Sequence, residues 1–260
     1  MLSRSHTSDA ALARFDGEVI DRGEYILVRT RSNPTFFWGN FLIYPRPPVT
    51  ADLGPWLAAD AREFEDRKDR AAIFAWDQID GASGEDAGFL QRGFVRDVGV
   101  CMSAKRLRRA PKHNEDVVVR PLEDDAAWSA ATACLTNAFT TRGKNEVQRE
   151  FVVRQMTRYR AMQAAGWGTW YGAFVGNVCA ASCGLVRQGS VGRFQLVGTD
   201  PAFARRGICS TMMYDVGSRG LAELEEVIIV ADETYHATKV YQAVGFSVVE
   251  RLATLMRVPK

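Results

Sequence analysis

Between Val117 and Arg257 the chain alternates short apolar runs with helical patterns, each bounded by a turn signal, and this succession restricts the fold more than any other feature. The run VIIVAD (227–232) is short and continuously apolar, as a strand buried on both faces requires. It lies between two helical segments, one entered from the loop RRGICS and one running from about Tyr235 to Val244 and ending at Gly245. TWYGAF and VCAASCGLV, joined across Gly176 and Asn177, read as a β-hairpin. FQLVGT reads as a further strand broken by Asp200 and Pro201, and FSVVE and TLMRV read as two last strands. Helical patterns at about 128–139 and 146–165 complete the set, the second with Val152, Met156 and Tyr159 on one side. The order is that of an α/β (α+β mixed sheet) fold.

The first half repeats part of this plan. GEYILVRTR and FFWGNFLIY read as strands, and a helix from Leu53 to about Phe64 carries Leu53, Trp56, Leu57, Ala61 and Phe64 at helical spacing. AAIFAW follows as another apolar run, then Ala87–Phe94 and the stretch VRDVGVCM. Both halves thus have a short strand, a helix and a Gly-Phe dipeptide before a last strand, as in a degenerate internal copy. The charged stretch CMSAKRLRRAPKHNED, with Pro111 and no sustained apolar period, reads as a solvated linker between them. The expected domains are residues 1–110 and 111–260.

Composition then removes whole classes of function. Lys and Arg number 33 against 31 Asp and Glu, so the net charge of +2 disfavours nucleic acid as the main partner. No run approaches the roughly 20 apolar residues of a membrane span, and the N-terminus, interrupted by Asp9, Arg14 and Asp16, has no secretory pattern. The expected location is the cytoplasm. Cys101, Cys134, Cys179, Cys183 and Cys209 form no C-x-x-C pair, and the three histidines are dispersed, so neither a disulfide framework nor a metal site is expected. Cys179 and Cys183 read as core filling.

Chemistry concentrates after FQLVGT. In Asp200-Pro201-Ala202-Phe203-Ala204-Arg205-Arg206-Gly207-Ile208-Cys209-Ser210 a strand ends, a proline turns the chain, and a loop enters a helix N-terminus. Unpaired N–H groups and the helix dipole there suit a phosphate or pyrophosphate. Gly207 removes a Cβ where a ligand would approach, and Arg205 and Arg206 add charge. A solvated basic turn is the plainer alternative for the loop taken alone. The second segment is Ala237-Thr238-Lys239-Val240-Tyr241-Gln242-Ala243-Val244-Gly245-Phe246.

Taken together, these two segments resemble the GNAT superfamily of N-acyltransferases over roughly residues 116–260. That family has a V-x-P strand end, an R/Q-x-x-G-x-G/A loop and a later A-x-x-x-Y-x-x-x-G-F segment. Here Thr199-Asp200-Pro201, Ala204 to Cys209, and Ala237 through Tyr241 to Gly245-Phe246 stand in those places. Ala204 replaces the usual Arg or Gln, Cys209 the usual Gly or Ala, and Thr234 a frequent Asn.

The resemblance implies a GNAT fold, in a tandem whose first copy is degenerate, and acetyl-CoA as acyl donor with no metal. It implies cofactor contacts at Val197, Gly198, Thr199, Arg205, Arg206, Gly207, Ile208, Cys209 and Ser210, and Tyr241 as the general acid. The expected reaction is N-acetyl transfer to a primary amine by direct attack. The expected acceptor is a small-molecule amine or a peptide, with no nucleic acid and no membrane partner; a homodimer is left open. Where many members have a Glu, this chain has Gln195, which cannot accept a proton. The base therefore stays unassigned, a water chain ending at Asp232 or Glu233 being one option. A non-catalytic acyl-CoA-binding regulatory module is the alternative. In the first half, Tyr44-Pro45-Arg46-Pro47-Pro48-Val49-Thr50 lacks the N–H donors a phosphate needs, so no CoA is expected there. Phe36, Phe37 and Trp38 are candidates for an acceptor-site wall, or for core packing.

Overall fold

Residues that alternate between apolar and polar form half-buried strands, and apolar residues three and four apart form helices with one buried face. The computed structural model describes residues 1–30, 36–65, 71–140, 146–234 and 236–258. In chain order the elements are α1 (Arg4–Ala13), β1 (Glu18–Asp21), β2 (Ile26–Arg29), β3 (Asn40–Tyr44), α2 (Leu53–Glu63), β4 (Ala72–Trp76), α3 (Ala87–Leu90) and β5 (Val95–Ala104). There follow β6 (Val117–Pro121), α4 (Asp125–Thr140), α5 (Glu146–Ala164), β7 (Gly168–Val175), β8 (Val178–Gln188), β9 (Val191–Thr199), α6 (Ile208–Leu221), β10 (Glu226–Asp232), α7 (Ala237–Val244) and β11 (Ser247–Arg257). The mixed α/β class expected from the sequence is the class found. FSVVE and TLMRV belong to one continuous strand, β11, because Arg251 interrupts the apolar pattern without breaking the backbone. Tyr235, the expected start of the last helix, lies outside the described residues.

Two compact units result. The first comprises Met1–Cys101, Val230–Glu233 and Val248–Lys260; the second comprises Met102–Ile229 and Thr234–Ser247. The C-terminal residues Val248–Lys260 therefore belong with the first unit, which a division at residue 110 does not provide for. No helix among the described residues is long and apolar enough to cross a membrane.

In the first unit β1 and β2, then β2 and β3, pair antiparallel; β3 and β4 pair parallel, and β11 closes on β4 antiparallel. Successive strand residues point to opposite faces. Leu27, Leu42, Tyr44, Phe74 and Trp76 pack on one side with Trp56 of α2, and Val28, Phe41, Ile43, Ile73 and Ala75 on the other with Ala13 of α1. Tyr44 stacks on Trp56 with ring centroids 3.7 Å apart. Trp38 meets Phe41 edge-on at 5.8 Å and packs against this core, while Phe37 is exposed.

The second unit shows the same sequence of pairings. β6 to β9 pair antiparallel in chain order, and β9 pairs parallel with β10 across α6, as β3 does with β4 across α2. Tyr159 of α5 bonds Gln195 on one face of β9, and Phe194 on the other face meets Gly217 of α6.

Helix α1 buries Ser5, His6, Ser8 and Asp9 together with Ala10, Leu12 and Ala13. Its N-terminal donors are held by two carboxylates of the same unit. Asp77 accepts from the Leu2 and Ser3 N–H groups, and Glu250, 4% exposed, accepts from Ser3 Oγ and the Arg4 and Ser5 N–H groups. Removing one carboxylate leaves buried donors unsatisfied, so Glu250→Ala is expected to destabilise the protein by roughly 2–3 kcal/mol in urea unfolding. A loss under about 0.5 kcal/mol, the scatter of ordinary surface changes, would refute the cap.

His6 is fully enclosed, its Nδ1 has no hydrogen-bond partner, and burial, opposed in part by Asp77, lowers its pKa from 6.5 to about 4. Below pH 6.5 the unfolded chain takes up a proton that the folded one refuses. The stability His6 contributes is complete above pH 6.5 and is lost as pH falls toward 4, by about 3 kcal/mol. The difference in unfolding free energy between wild type and His6→Gln should therefore shift by that amount between pH 7.5 and 4. A pH-independent difference would contradict it.

Candidate active site

β9 does not run true against its neighbour. Gly184 faces Gln195 and Ser182 faces Gly198, so Leu196 and Val197 together oppose the single residue Cys183. This is a β-bulge. Leu196 adopts φ +46°, a left-handed conformation that costs a non-glycine residue about 1–2 kcal/mol. On its other edge β9 pairs with β10 only over Val191–Arg193. Leu196 and Val197 thus lie in neither register.

The residues around the bulge are fixed. Gln195 accepts at Oε1 from the Tyr159 hydroxyl at 3.1 Å, and the Tyr159 ring stacks on Trp170 at 4.8 Å. Gly184 leaves room for the Trp170 indole, whose Nε1 would stand 2.4 Å from a Cβ there. A Cβ on Gly198 would meet Leu135 of α4 at 2.6 Å. Gln195, which stands where the resemblance looks for a base, is a buried amide held by a phenol. Glu233 belongs to the first unit, where its carboxylate binds Arg251 Nε at 2.7 Å. Asp232 lies in that unit too, beside Asp97, whose carboxyl is pushed up by burial and by Asp232.

After Thr199 the chain turns. Asp200 accepts at Oδ1 from the Ala202 N–H and at Oδ2 from Asn137 of α4 at 2.7 Å. Two left-handed residues follow, Arg205 (φ +62°) and Gly207 (φ +78°), and α6 begins at Ile208 with no side chain capping its first turn. The arginine side chains are exposed, while Ile208 and Ser210 are buried. The Ser210 hydroxyl donates to the Gly207 carbonyl at 2.8 Å, and the first N–H groups of α6, at Ile208, Cys209 and Ser210, are the donors that a helix start leaves without intrahelical partners. The Cys209 thiol is pushed up to about 11 by burial, which keeps it protonated at neutral pH and unsuited as a nucleophile. Cys179 and Cys183 are both buried.

The stretch read as a solvated linker is packed on this loop. A Cβ on Gly207 would stand 1.9 Å from the Lys112 carbonyl oxygen. The missing Cβ therefore makes room for the chain itself, a correction to the reason inferred from sequence. Asn114 donates from Nδ2 to the Arg206 carbonyl at 2.9 Å and from its N–H to Thr211 Oγ1 at 2.8 Å. Nothing in the local sequence signals these bonds, since they join residues nearly a hundred positions apart.

Tyr241 is buried on the inner face of α7. Its ring meets Phe246 at 6.3 Å, and Phe246 meets Phe194 of β9 at 6.0 Å. The unit also holds a cleft of about 480 Å³ between α4 and α5, lined by Trp128, Thr132, Asn137, Val153 and Met156, with Arg149 and Arg160 beside it. Those arginines pair with Glu146 and Asp125.

In the first unit, the corresponding entry into α2 is already filled by acid. Asp52 accepts from the Val49 N–H and Glu85 from the Thr50 N–H, both at 2.7 Å.

Residues 103–227 match the model of an acetyltransferase (GNAT) domain. No curated protein matches the chain. Among solved structures, a conserved protein of unknown function from Staphylococcus epidermidis is similar at TM-score 0.72 and 14% identity, over 94% of this chain and 95% of that one. A GCN5-related N-acetyltransferase from Kribbella flavida is similar at 0.66 and 11%, over 99% and 95%. Another from Sphaerobacter thermophilus is similar at 0.56 and 17%, over 93% and 75%. At such identities the likeness is one of fold. The bulged strand, the loop and the helix it enters all fall inside the matched residues, and the chain carries a domain of the GNAT acetyltransferase family at residues 103–227.

Proposed function

We propose that the second unit transfers an acetyl group from acetyl-CoA to a primary amine of a small molecule or peptide by direct attack. The observation that carries this reading is the bulge: β9 carries main chain in neither ladder and leads straight to the uncapped start of α6. In this reading the main chain of Val197, Gly198 and Thr199 holds the pantetheine arm, much as an added strand would. The N–H groups from Arg205 to Ser210 hold the pyrophosphate, with Arg205 and Arg206 adding charge. Helix-dipole attraction is worth only about 0.3–2 kcal/mol, so several N–H bonds act together.

The amine nitrogen bonds to the thioester carbonyl carbon, the carbon–sulfur bond breaks, and the amine gives up a proton. Tyr241 donates its hydroxyl proton to the departing sulfur, uphill by only about 2 kcal/mol from the ordinary tyrosine and thiol values. No covalent enzyme intermediate is needed, and the protonated Cys209 offers none. With Gln195 held by Tyr159, the acceptor loses its proton to water, which in turn restores the proton that Tyr241 gave to the sulfur. An ordinary alkylamine at neutral pH is deprotonated at a cost of about 4–5 kcal/mol, so an acceptor of lowered pKa suits this site. The first unit we read as a degenerate copy that binds no CoA, since Asp52 and Glu85 stand where a phosphate would.

Tyr241→Phe tests the assignment. Turnover in a thiol-release assay should fall about a hundredfold or more, while the thermal shift produced by acetyl-CoA persists. Unchanged turnover would remove Tyr241 from the mechanism, and a wild-type protein that binds no CoA ester would overturn the reading itself.

A further inference from the structure

We propose that residues 105–116 form a strap that positions two parts of the acyl-transfer site separately: Asn114 sets the loop that receives the cofactor, and Arg108 sets the helix that carries Tyr241. This rests on the acetyltransferase reading above.

The loop needs such a hold. Arg206 lies between two left-handed residues, Arg205 and Gly207, a backbone that helix α6 alone does not impose. The Asn114 amide takes the Arg206 carbonyl at 2.9 Å. Its backbone N–H bonds Thr211 Oγ1, which itself donates to the Gly207 carbonyl at 3.0 Å. The Ser210 hydroxyl, bonded to the Gly207 carbonyl, also reaches the Lys112 carbonyl at 3.3 Å. Asn114 Oδ1 accepts from the Asp116 N–H at 3.0 Å, which fixes the amide's orientation. One residue thus grips both sides of the turn that aims the first N–H groups of α6.

The other end of the strap grips α7. The Arg108 N–H donates to the Val244 carbonyl at 3.0 Å, and its guanidinium donates from Nε to Ala243 and from Nη2 to Gln242, each at 3.2 Å. These are the last carbonyls of α7, the end of a helix where carbonyls run short of intrahelical partners; that of Gln242 also takes the Gly245 N–H at 3.1 Å. Tyr241 is the residue just before them, so the direction of its ring follows the turn that Arg108 closes. Between the two grips, Leu107 fills the space left by Gly217 on α6, where a Cβ would stand 2.4 Å from its Cδ1. Asn114 bonds the loop and not α7; Arg108 bonds α7 and not the loop.

That separation is the test, on the full-length protein. Asn114→Ala should raise the KM and calorimetric Kd for acetyl-CoA about tenfold, the worth of one to two hydrogen bonds, with kcat falling less than twofold. Arg108→Ala should lower kcat about tenfold with KM within twofold, and Arg108→Lys should recover part of the loss. Should Asn114→Ala fail to fold, Asn114→Asp keeps the side-chain acceptor and cannot donate to Arg206, and the same split is expected of it. Both variants moving KM and kcat together, or neither moving them, overturns the strap. Amide exchange of the unliganded protein separates this from the activity. Asn114→Ala should speed exchange at Thr211, and Arg108→Ala at Gly245 and Phe246. If the wild type neither binds nor turns over acetyl-CoA, the acetyltransferase reading falls and exchange alone decides, with no local change in either variant refuting the strap.

Discussion

A strand that holds one residue too many cannot keep every main-chain group in its ladders, and β9 is such a strand. Leu196 and Val197 face Cys183 alone, and Leu196 takes a left-handed backbone to allow it. That strain, about 1–2 kcal/mol, persists only because the flanking residues are locked on both faces. Tyr159 holds Gln195 from above, Phe246 and Gly217 meet Phe194 from below, and Leu135 closes over Gly198. Main-chain groups that leave a ladder must find other partners. Everything proposed for the second unit follows from where those groups are left and from which helix comes next.

The helix that comes next is aimed by residues far away in sequence. A helix N-terminus attracts anions through three or four N–H groups whose directions depend on the turn before it. In this protein the turn is held by Asn114 and pressed upon by the Lys112 carbonyl. The basic composition of that segment suggested a solvated connection, but its side chains and its main chain behave differently. The charges of Lys112 and Arg109 are exposed, while the main chain of the segment is packed against glycines at 207 and 245 and the Leu107 side chain against Gly217.

What the sequence made legible was whatever depends on local pattern. The helices around 128–139 and 146–165, the hairpin at Gly176 and Asn177, and the helix after RRG all emerged from periodicity and turn chemistry. What stayed illegible depends on distant partners. Helix α1 escapes notice because it buries Ser5, His6 and Ser8 alongside Leu12 and two alanines, and its first N–H groups are held by Asp77 and Glu250. Gly207 was visible as a special position, but its cause, the Lys112 carbonyl, was not. Ser210 read as a cofactor contact through the main chain of its loop; that its hydroxyl donates to the Gly207 carbonyl is visible only in the structure. Gln195 showed that a carboxylate was missing; only the Tyr159 hydrogen bond shows that the amide is held in place.

The two units make the physical requirement for an anion site plain by contrast. Each carries the same strand–helix–parallel-strand step, β3–α2–β4 and β9–α6–β10. At α2 the approach runs through Pro45, Pro47 and Pro48, which have no N–H to give, and the donors that remain at Val49 and Thr50 are taken by Asp52 and Glu85. A negative group arriving there would find those donors occupied by two carboxylates, one of them paired with Arg46. At α6 the approach carries Arg205 and Arg206, the cap is a glycine with no side chain to offer, and the Ser210 and Thr211 hydroxyls of the first turn both donate to the Gly207 carbonyl. In our reading the same topology is closed to an anion in one unit by its own acids and left open in the other. That difference, and not the fold they share, is why we place the chemistry in the second.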